Sequence, residues 1–275
     1  MSLKAKIRNF AKVRGISASA VLQIHLLNRF LYRLSLTDYK DKFIIKGGML
    51  ISSIIGIDHR ATMDLDSTLR YMKLEEETLI EAFHTICSVE TDDGIEFGFN
   101  SIEPIRDDDE YGGYRLSFHA VLGKINAPMS MDISTGDVIT PEAEIHVFKD
   151  SIDTNTKFEL MSYTVETVLA EKLETILSRG IDNTRPRDFY DVYMLAGYDY
   201  DVLILRKAFN ATANHRESLS KIVDYEIILN KILNDNEMNR RWDIYTKQMP
   251  YAEGIAFANT INVARNMLSN IFNDV

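Results

Sequence analysis

Residues 64–66 read Asp-Leu-Asp inside MDLDSTLRYM, a stretch that alternates polar and apolar residues as a β-strand does. Residues i and i+2 of a strand point to one face. Met63 and Leu65 are therefore expected to face inward, leaving Asp64 and Asp66 side by side on the other face. Two carboxylates held this way repel unless a cation lies between them. Hard divalent ions such as Mg²⁺ or Mn²⁺ use carboxylate oxygens together with substrate phosphates, so the pair can hold metal against a nucleoside triphosphate.

Upstream, Gly47-Gly48 divides the strand-like FII from the helical pattern MLISSII. Glycine lets backbone N–H groups approach a ligand closely, and a helix N-terminus favours phosphate. Each motif alone also describes a turn or a polar strand edge. In this order, with Arg60 and Thr62 between them, they point to triphosphate handling. A third carboxylate, Asp132, lies in APMSMDISTGD, where alternation places Met131 and Ile133 on one face and Ser130, Asp132 and Ser134 on the other. On a neighbouring strand, Asp132 would complete the metal ligands or accept the proton of an attacking hydroxyl.

Cations come from YTVETVLAEKLETILSRG, a helical pattern with an apolar stripe of Val165, Val168, Leu169, Leu173 and Ile176. At about 100° per residue Lys172 falls within that stripe, with Arg179 close by. A lysine there either snorkels outward or enters a cleft to meet phosphate as a point charge; with two cations on one inward face the cleft is expected. In NTRPRDFYDVYML, Pro186 suits a first helical turn, and Asp188 and Asp191 lie one turn apart. Asp188 suits a helix N-terminus and Asp191 an ion pair with Arg187; either could instead bind Lys172 or a nucleotide. His59 reads as a loop residue and Trp242 as a packing anchor.

These residues need a scaffold. Residues 4–34 carry apolar positions at helical spacing, LEEETLIEAFHTICSV repeats that spacing, and residues 94–145 are strand-like with turns expected at Gly112-Gly113, Ala127-Pro128 and Gly136. DDDEYGG at 107–113 is expected to be an exposed hairpin connection. Helical patterns dominate after Tyr163. The fold class is α+β, with residues 1–155 a core with N-terminal helices and residues 156–275 a helical C-terminal domain.

The 275 residues are 45% hydrophobic and 26% charged, with a net charge of −10. That charge argues against a protein coated in phosphate contacts, while leaving room for a local basic patch. Three are present: Lys4, Lys6, Arg8, Lys12 and Arg14; Arg179, Arg185 and Arg187; Arg240 and Arg241. The single cysteine, Cys87, excludes an internal disulfide and a cysteine-based zinc site. No signal peptide and no membrane span is read, so a cytoplasmic setting is expected.

KGGML, RATMDLD, MDISTGD, AEKLETILSR and RPRDFYDVYML, in this order over about residues 43–196, resemble the AbiEii/AbiGii nucleotidyltransferase-like toxin family. The resemblance implies a minimal polymerase β-like nucleotidyltransferase core, a mixed sheet flanked by helices, joined to a helical C-terminal domain. It implies a toxin of a toxin–antitoxin or phage-defence (abortive-infection) system, with a cognate antitoxin encoded nearby. It also implies transfer of a nucleotide from an NTP co-substrate, with tRNA 3′ ends as acceptor. By matching position, Gly47, Gly48, Asp64 and Asp66 fall on the family's first motif and Lys172 on its later helix. The final acidic position is Asp188 or Asp191. Met49 departs from the small or hydroxyl residue that often follows the glycine pair in the wider superfamily. The expected reaction is an in-line attack of an acceptor hydroxyl on the α-phosphorus, with Lys172 and Arg179 neutralising the leaving phosphates. A metal-dependent phosphodiesterase and a non-catalytic nucleotide- or RNA-binding module on the same fold are the rival readings.

Overall fold

The computed structural model describes residues 2–105 and 112–272, which fall into two compact units. The first comprises residues 1–137 and 144–162; the second, residues 138–143 and 163–275. Most of the acidic segment expected as a hairpin connection lies outside the described residues.

The first unit is built on a seven-stranded mixed sheet of order β3-β4-β5-β2-β1-β7-β6. Its strands are β1 (Phe43–Lys46), β2 (Leu65–Leu69), β3 (Ile95–Ile105), β4 (Gly113–Leu122), β5 (Ile125–Ser134), β6 (Glu144–Lys149) and β7 (Lys157–Ser162). Residues 157–162, grouped by sequence with the helical part, are thus a strand of this sheet. Its helices are α1 (Leu3–Arg14), α2 (Ala18–Ser35), α3 (Gly47–Ile55) and α4 (Glu76–Cys87). β2 pairs antiparallel with β1 and parallel with β5, so the elements carrying the two aspartate motifs are neighbours.

Burial follows the strand period. In β5, Met129, Met131 and Ile133 are buried, and the intervening polar residues take the opposite face. α2 and α4 cover the apolar side, where Phe30, Phe83, Phe97 and Phe118 interlock with ring centroids 4.8–6.2 Å apart. Arg29 and Arg33 of α2 grip Asp93 at 2.7 and 2.8 Å, tying the helix to the chain entering β3.

Two expectations fail here for identifiable reasons. Ala127-Pro128 is no turn; it lies inside β5, and the chain reverses at Gly123, which has φ +59°. Proline is tolerated because pairing with β2 begins only at Met131, so Pro128 is paired on the β4 side alone. Met63 is 51% exposed, because the strand starts only at Leu65 and period-2 alternation does not reach back to it.

A polar cluster fastens β1, β2 and β5 together. Asp137, just past β5, accepts from Lys46 of β1, from Thr68 of β2 and, at 2.9 Å, from Ser134 of β5. Lys46 Nζ also donates to Ser134 Oγ at 2.8 Å. Burial alone would raise the Asp137 carboxyl, but the Lys46 charge and these hydrogen bonds outweigh it and hold the group at about 2.

The second unit is helical: α5 (Val165–Arg179), α6 (Pro186–Leu195), α7 (Val202–His215), α8 (Leu219–Ile222), α9 (Tyr225–Asn234), α10 (Asn236–Gln248) and α11 (Phe257–Phe272). Phe189, Trp242 and Phe257 pack ring on ring at its centre. Trp242 also donates its indole N–H to the Ile255 carbonyl at 2.9 Å, which is the anchoring role its isolation suggested. Among the described residues no helix is long and apolar enough to cross a membrane.

Because the Asp137 carboxyl is depressed in the folded state, it stabilises the fold above its ordinary value near 3.8. That contribution is lost as pH falls toward 2. Urea denaturation of wild type and Asp137→Asn at pH 6 and pH 3 should show the variant weaker by on the order of 2 kcal/mol at pH 6. The gap should narrow at pH 3; a gap that does not change with pH would contradict the role given to this group.

Candidate functional site

The glycine pair comes first because the carboxylates depend on it. β1 ends at Lys46, and α3 begins at Gly47 itself, with no intervening turn. Gly47 has φ +65°, a left-handed conformation that costs any residue with a Cβ. A Cβ on Gly47 would also overlap the Asp66 carboxyl group, 2.8 Å from Cγ. At Gly48 it would fall 2.6 Å from Thr62 Oγ1. The start of α3 therefore rests against the strand carrying Asp66, and the Gly48 N–H donates to the Asp66 carboxylate.

β2 and β5 run parallel with Asp66 opposite Asp132 and Leu65 opposite Met131. Leu65, Met131 and Ile133 are buried, so Asp66 and Asp132 share the polar face. Asp64 lies one residue before β2 and accepts from Ser130 Oγ at 3.3 Å. The three aspartates proposed from sequence are thus brought together. Burial pushes the Asp66 carboxyl above the ordinary carboxylate range; Asp132 and Asp64 push the same way, while Lys46 and the Gly48 N–H oppose.

The expected three-ligand metal set is not closed, however. Among the described residues no three His, Cys, Asp or Glu side chains are grouped tightly enough to hold an ion. The third carboxylate is engaged by Arg115, opposite Asp132 on β4. Its guanidinium takes both Asp132 oxygens, each at 2.7 Å. That fork occupies both oxygens of the third carboxylate. Asp64 and Asp66 fit a hard divalent cation better: they offer oxygen donors on one face and repel one another, and Asp66 lies against a glycine cradle that a Cβ would fill.

In the second unit the sequence-predicted residues gather around Lys172. Lys172 of α5 contacts Asp188 Oδ1 at 2.8 Å and Asp191 Oδ2 at 2.9 Å, both on α6. Asp191 is fully buried and Asp188 nearly so. Burial disfavours the charged lysine, but Asp191 and Asp188 outweigh it and raise its affinity for the proton. The apolar stripe thus tolerates Lys172 because α6 supplies two carboxylates, and Asp191 binds Lys172 rather than Arg187. Arg179 does not share that inward face; it is exposed at the end of α5.

Sequence reasoning missed Arg115, Lys46 and Asp137. The last two were visible as a charged residue directly before Gly47-Gly48 and one directly after Gly136. Arg115 carried no signal, since its partner is defined only by the β4–β5 register.

This arrangement defines the class first: a nucleotidyltransferase fold with paired strand aspartates beside a Gly-Gly helix start. Two crystal structures share the fold at 16% identity. One is a candidate nucleotidyltransferase from H. pylori (TM-score 0.51, covering 93% of this chain and 97% of that one). The other is JHP933 from Helicobacter pylori (TM-score 0.50, covering 93% and 94%). Comparison with curated proteins finds no match. The family model for the nucleotidyl transferase AbiEii toxin of type IV toxin–antitoxin systems matches residues 29–263, and the chain belongs to that family.

Gly47→Ala tests the close approach of glycine and aspartate. Gly15 is a built-in comparator, because its φ is +66° and nothing lies within 4 Å of its Cβ position. Gly15→Ala should cost only the backbone strain, roughly 1–2 kcal/mol. Gly47→Ala should cost clearly more by chemical denaturation, since Asp66 must also move. Equal costs would contradict the close approach.

Proposed function

We propose that the protein transfers a nucleoside monophosphate from an NTP to an acceptor hydroxyl, with the tRNA 3′ end as acceptor, and thereby acts as the toxin of a toxin–antitoxin pair. The observation that carries this reading is Asp66 against the Gly47-Gly48 helix start, with Asp64 on the same face and Asp132 in register on the next strand. Membership of the AbiEii family supports the toxin role and a cognate antitoxin.

Asp64 and Asp66 would hold Mg²⁺ or Mn²⁺, which when bound supplies charge neutralisation on the triphosphate. The rest falls to the chain. The glycine pair leaves room for phosphate at the start of α3, and the N–H groups there favour anions. Lys46, held by Asp137 and Ser134, adds positive charge beside Asp66. Once Arg115 releases it, Asp132 takes the proton of the acceptor hydroxyl. That oxygen bonds to the α-phosphorus, the bond from α-phosphorus to the bridging oxygen breaks, and pyrophosphate departs with the electron pair. Arg115, freed from Asp132, is a forked donor suited to a phosphate. Lys172 and one of Asp188 and Asp191 enter this reading through the family resemblance; Arg179 enters by helical angle alone.

Incubation of the protein with a divalent salt, total tRNA and each α-labelled NTP in turn should place label on RNA with at least one nucleotide. Asp64→Ala and Asp66→Asn should each reduce labelling by roughly 10²-fold or more, the scale of losing a main electrostatic group in such a reaction. Equal labelling by the variants would reject the site. Absence of label with all four nucleotides would reject the tRNA acceptor.

A further inference from the structure

The charge of this protein is distributed unevenly. Seven of its 31 Lys and Arg residues precede the first acid, Asp38, in a chain whose net charge is −10. Five of the seven lie on one element, α1, at Lys4, Lys6, Arg8, Lys12 and Arg14, and α1 has no acidic residue. It also precedes the segment, residues 29–263, matched to the family.

Position on the helix separates these cations. Leu3, Ile7, Phe10 and Ala11 form the inward stripe and pack with Val21 and Ile152 of the first unit. Arg14 pairs with Asp58 and lies 5.6 Å from the centre of the Phe10 ring. Lys4, Arg8 and Lys12 recur every fourth residue on the outer side, all exposed. At 1.5 Å rise per residue this is one cation about every 6 Å. Among the described residues none of the three makes an ion pair or a side-chain hydrogen bond.

Such a stripe costs local stability. Like charges four residues apart repel, and Lys4 opposes the dipole in the first turn. The helix is held in spite of this by Ser2 accepting from the Ala5 N–H, by a left-handed Gly15 cap at φ 66° and by the apolar stripe. A feature that violates local rules while the surrounding structure compensates for it is where function is to be sought. The open outer face of α1 carries Ser2, Lys4, Ala5, Arg8, Asn9 and Lys12, with no carboxylate. Arg14 also pins the end of α1 to the loop at Asp58 that leads through Arg60 and Thr62 to Asp64.

The geometry points to α1 as a docking surface for the phosphate backbone of the polynucleotide acceptor, bound by Lys4, Arg8 and Lys12. Evenly spaced cations on an otherwise acidic protein suit a repeating anion, and contacts to phosphate carry no sequence information, so binding is expected to be independent of sequence. The inference deepens the acceptor reading above and rests on it.

The test is fluorescence anisotropy of the full chain with labelled tRNA, without NTP or divalent metal, over a range of salt. Lys4→Gln/Arg8→Gln/Lys12→Gln should bind at least about tenfold more weakly. Its slope of log affinity against log salt should fall by roughly 2–3, at about 0.7–0.9 for each phosphate no longer neutralised. Lys221→Gln/Lys231→Gln/Lys247→Gln removes the same charge from exposed positions of the second unit and should bind like wild type. Thermal melts of both variants confirm folding. Equal weakening by both variants would reduce the effect to net charge and overturn the proposal. So would unaltered binding by the α1 variant, which would leave the stripe to an acidic protein surface. Tight, α1-dependent binding with no nucleotide transfer would sink the reaction while sparing the dock; transfer with α1-independent binding would do the reverse.

Discussion

Everything in the first unit turns on one close approach, the Asp66 carboxylate against the Gly47-Gly48 backbone. No side chain fits there: a Cβ at Gly47 would overlap the carboxyl group, and one at Gly48 would press on Thr62. The same approach places the Gly48 N–H on the Asp66 carboxylate. Burial and like-charged neighbours make the ionised Asp66 costly, which is the condition that a bound cation relieves. The fold thus holds a carboxylate where it is least comfortable alone, which is what supports the proposed cation site.

The neighbouring strands support that approach. The parallel β2–β5 register brings Asp132 level with Asp66. The Lys46–Asp137–Thr68–Ser134 cluster locks the three strands that carry the site, so their register is fixed by polar interactions on one face and by apolar packing on the other. Arg115 closes on Asp132 from β4, occupying both oxygens. This makes the third carboxylate a conditional member of the site. In the second unit, Lys172 shows the same economy: a lysine on an apolar stripe is tolerated because α6 delivers two buried carboxylates to it.

Much of this was legible in the sequence. Period-2 alternation assigned faces correctly for Ser130, Asp132 and Ser134, and helical spacing found α5 and its odd lysine. Where alternation was extended past the strand end, at Met63, it failed, because the period holds only while the chain is paired. Pro128 misled because proline usually marks a turn, whereas here it occupies a strand stretch paired on one side only. Arg115 could not be read at all, and Asp137 only as a charge directly after Gly136: the partners of both depend on which strands become neighbours, a property of the whole sheet. Arg179 was assigned inward by angle alone, but it is the last residue of α5, where packing no longer covers it.

The central claim is that Asp66 and its neighbours form a divalent-cation site that a triphosphate completes. Titration of Mn²⁺ followed by electron paramagnetic resonance, with and without a non-hydrolysable NTP analogue, tests it without requiring an acceptor. Wild type should bind Mn²⁺ more tightly when the analogue is present, and Asp66→Asn should lose roughly tenfold or more of that affinity. Identical isotherms for wild type and Asp66→Asn would contradict the claim.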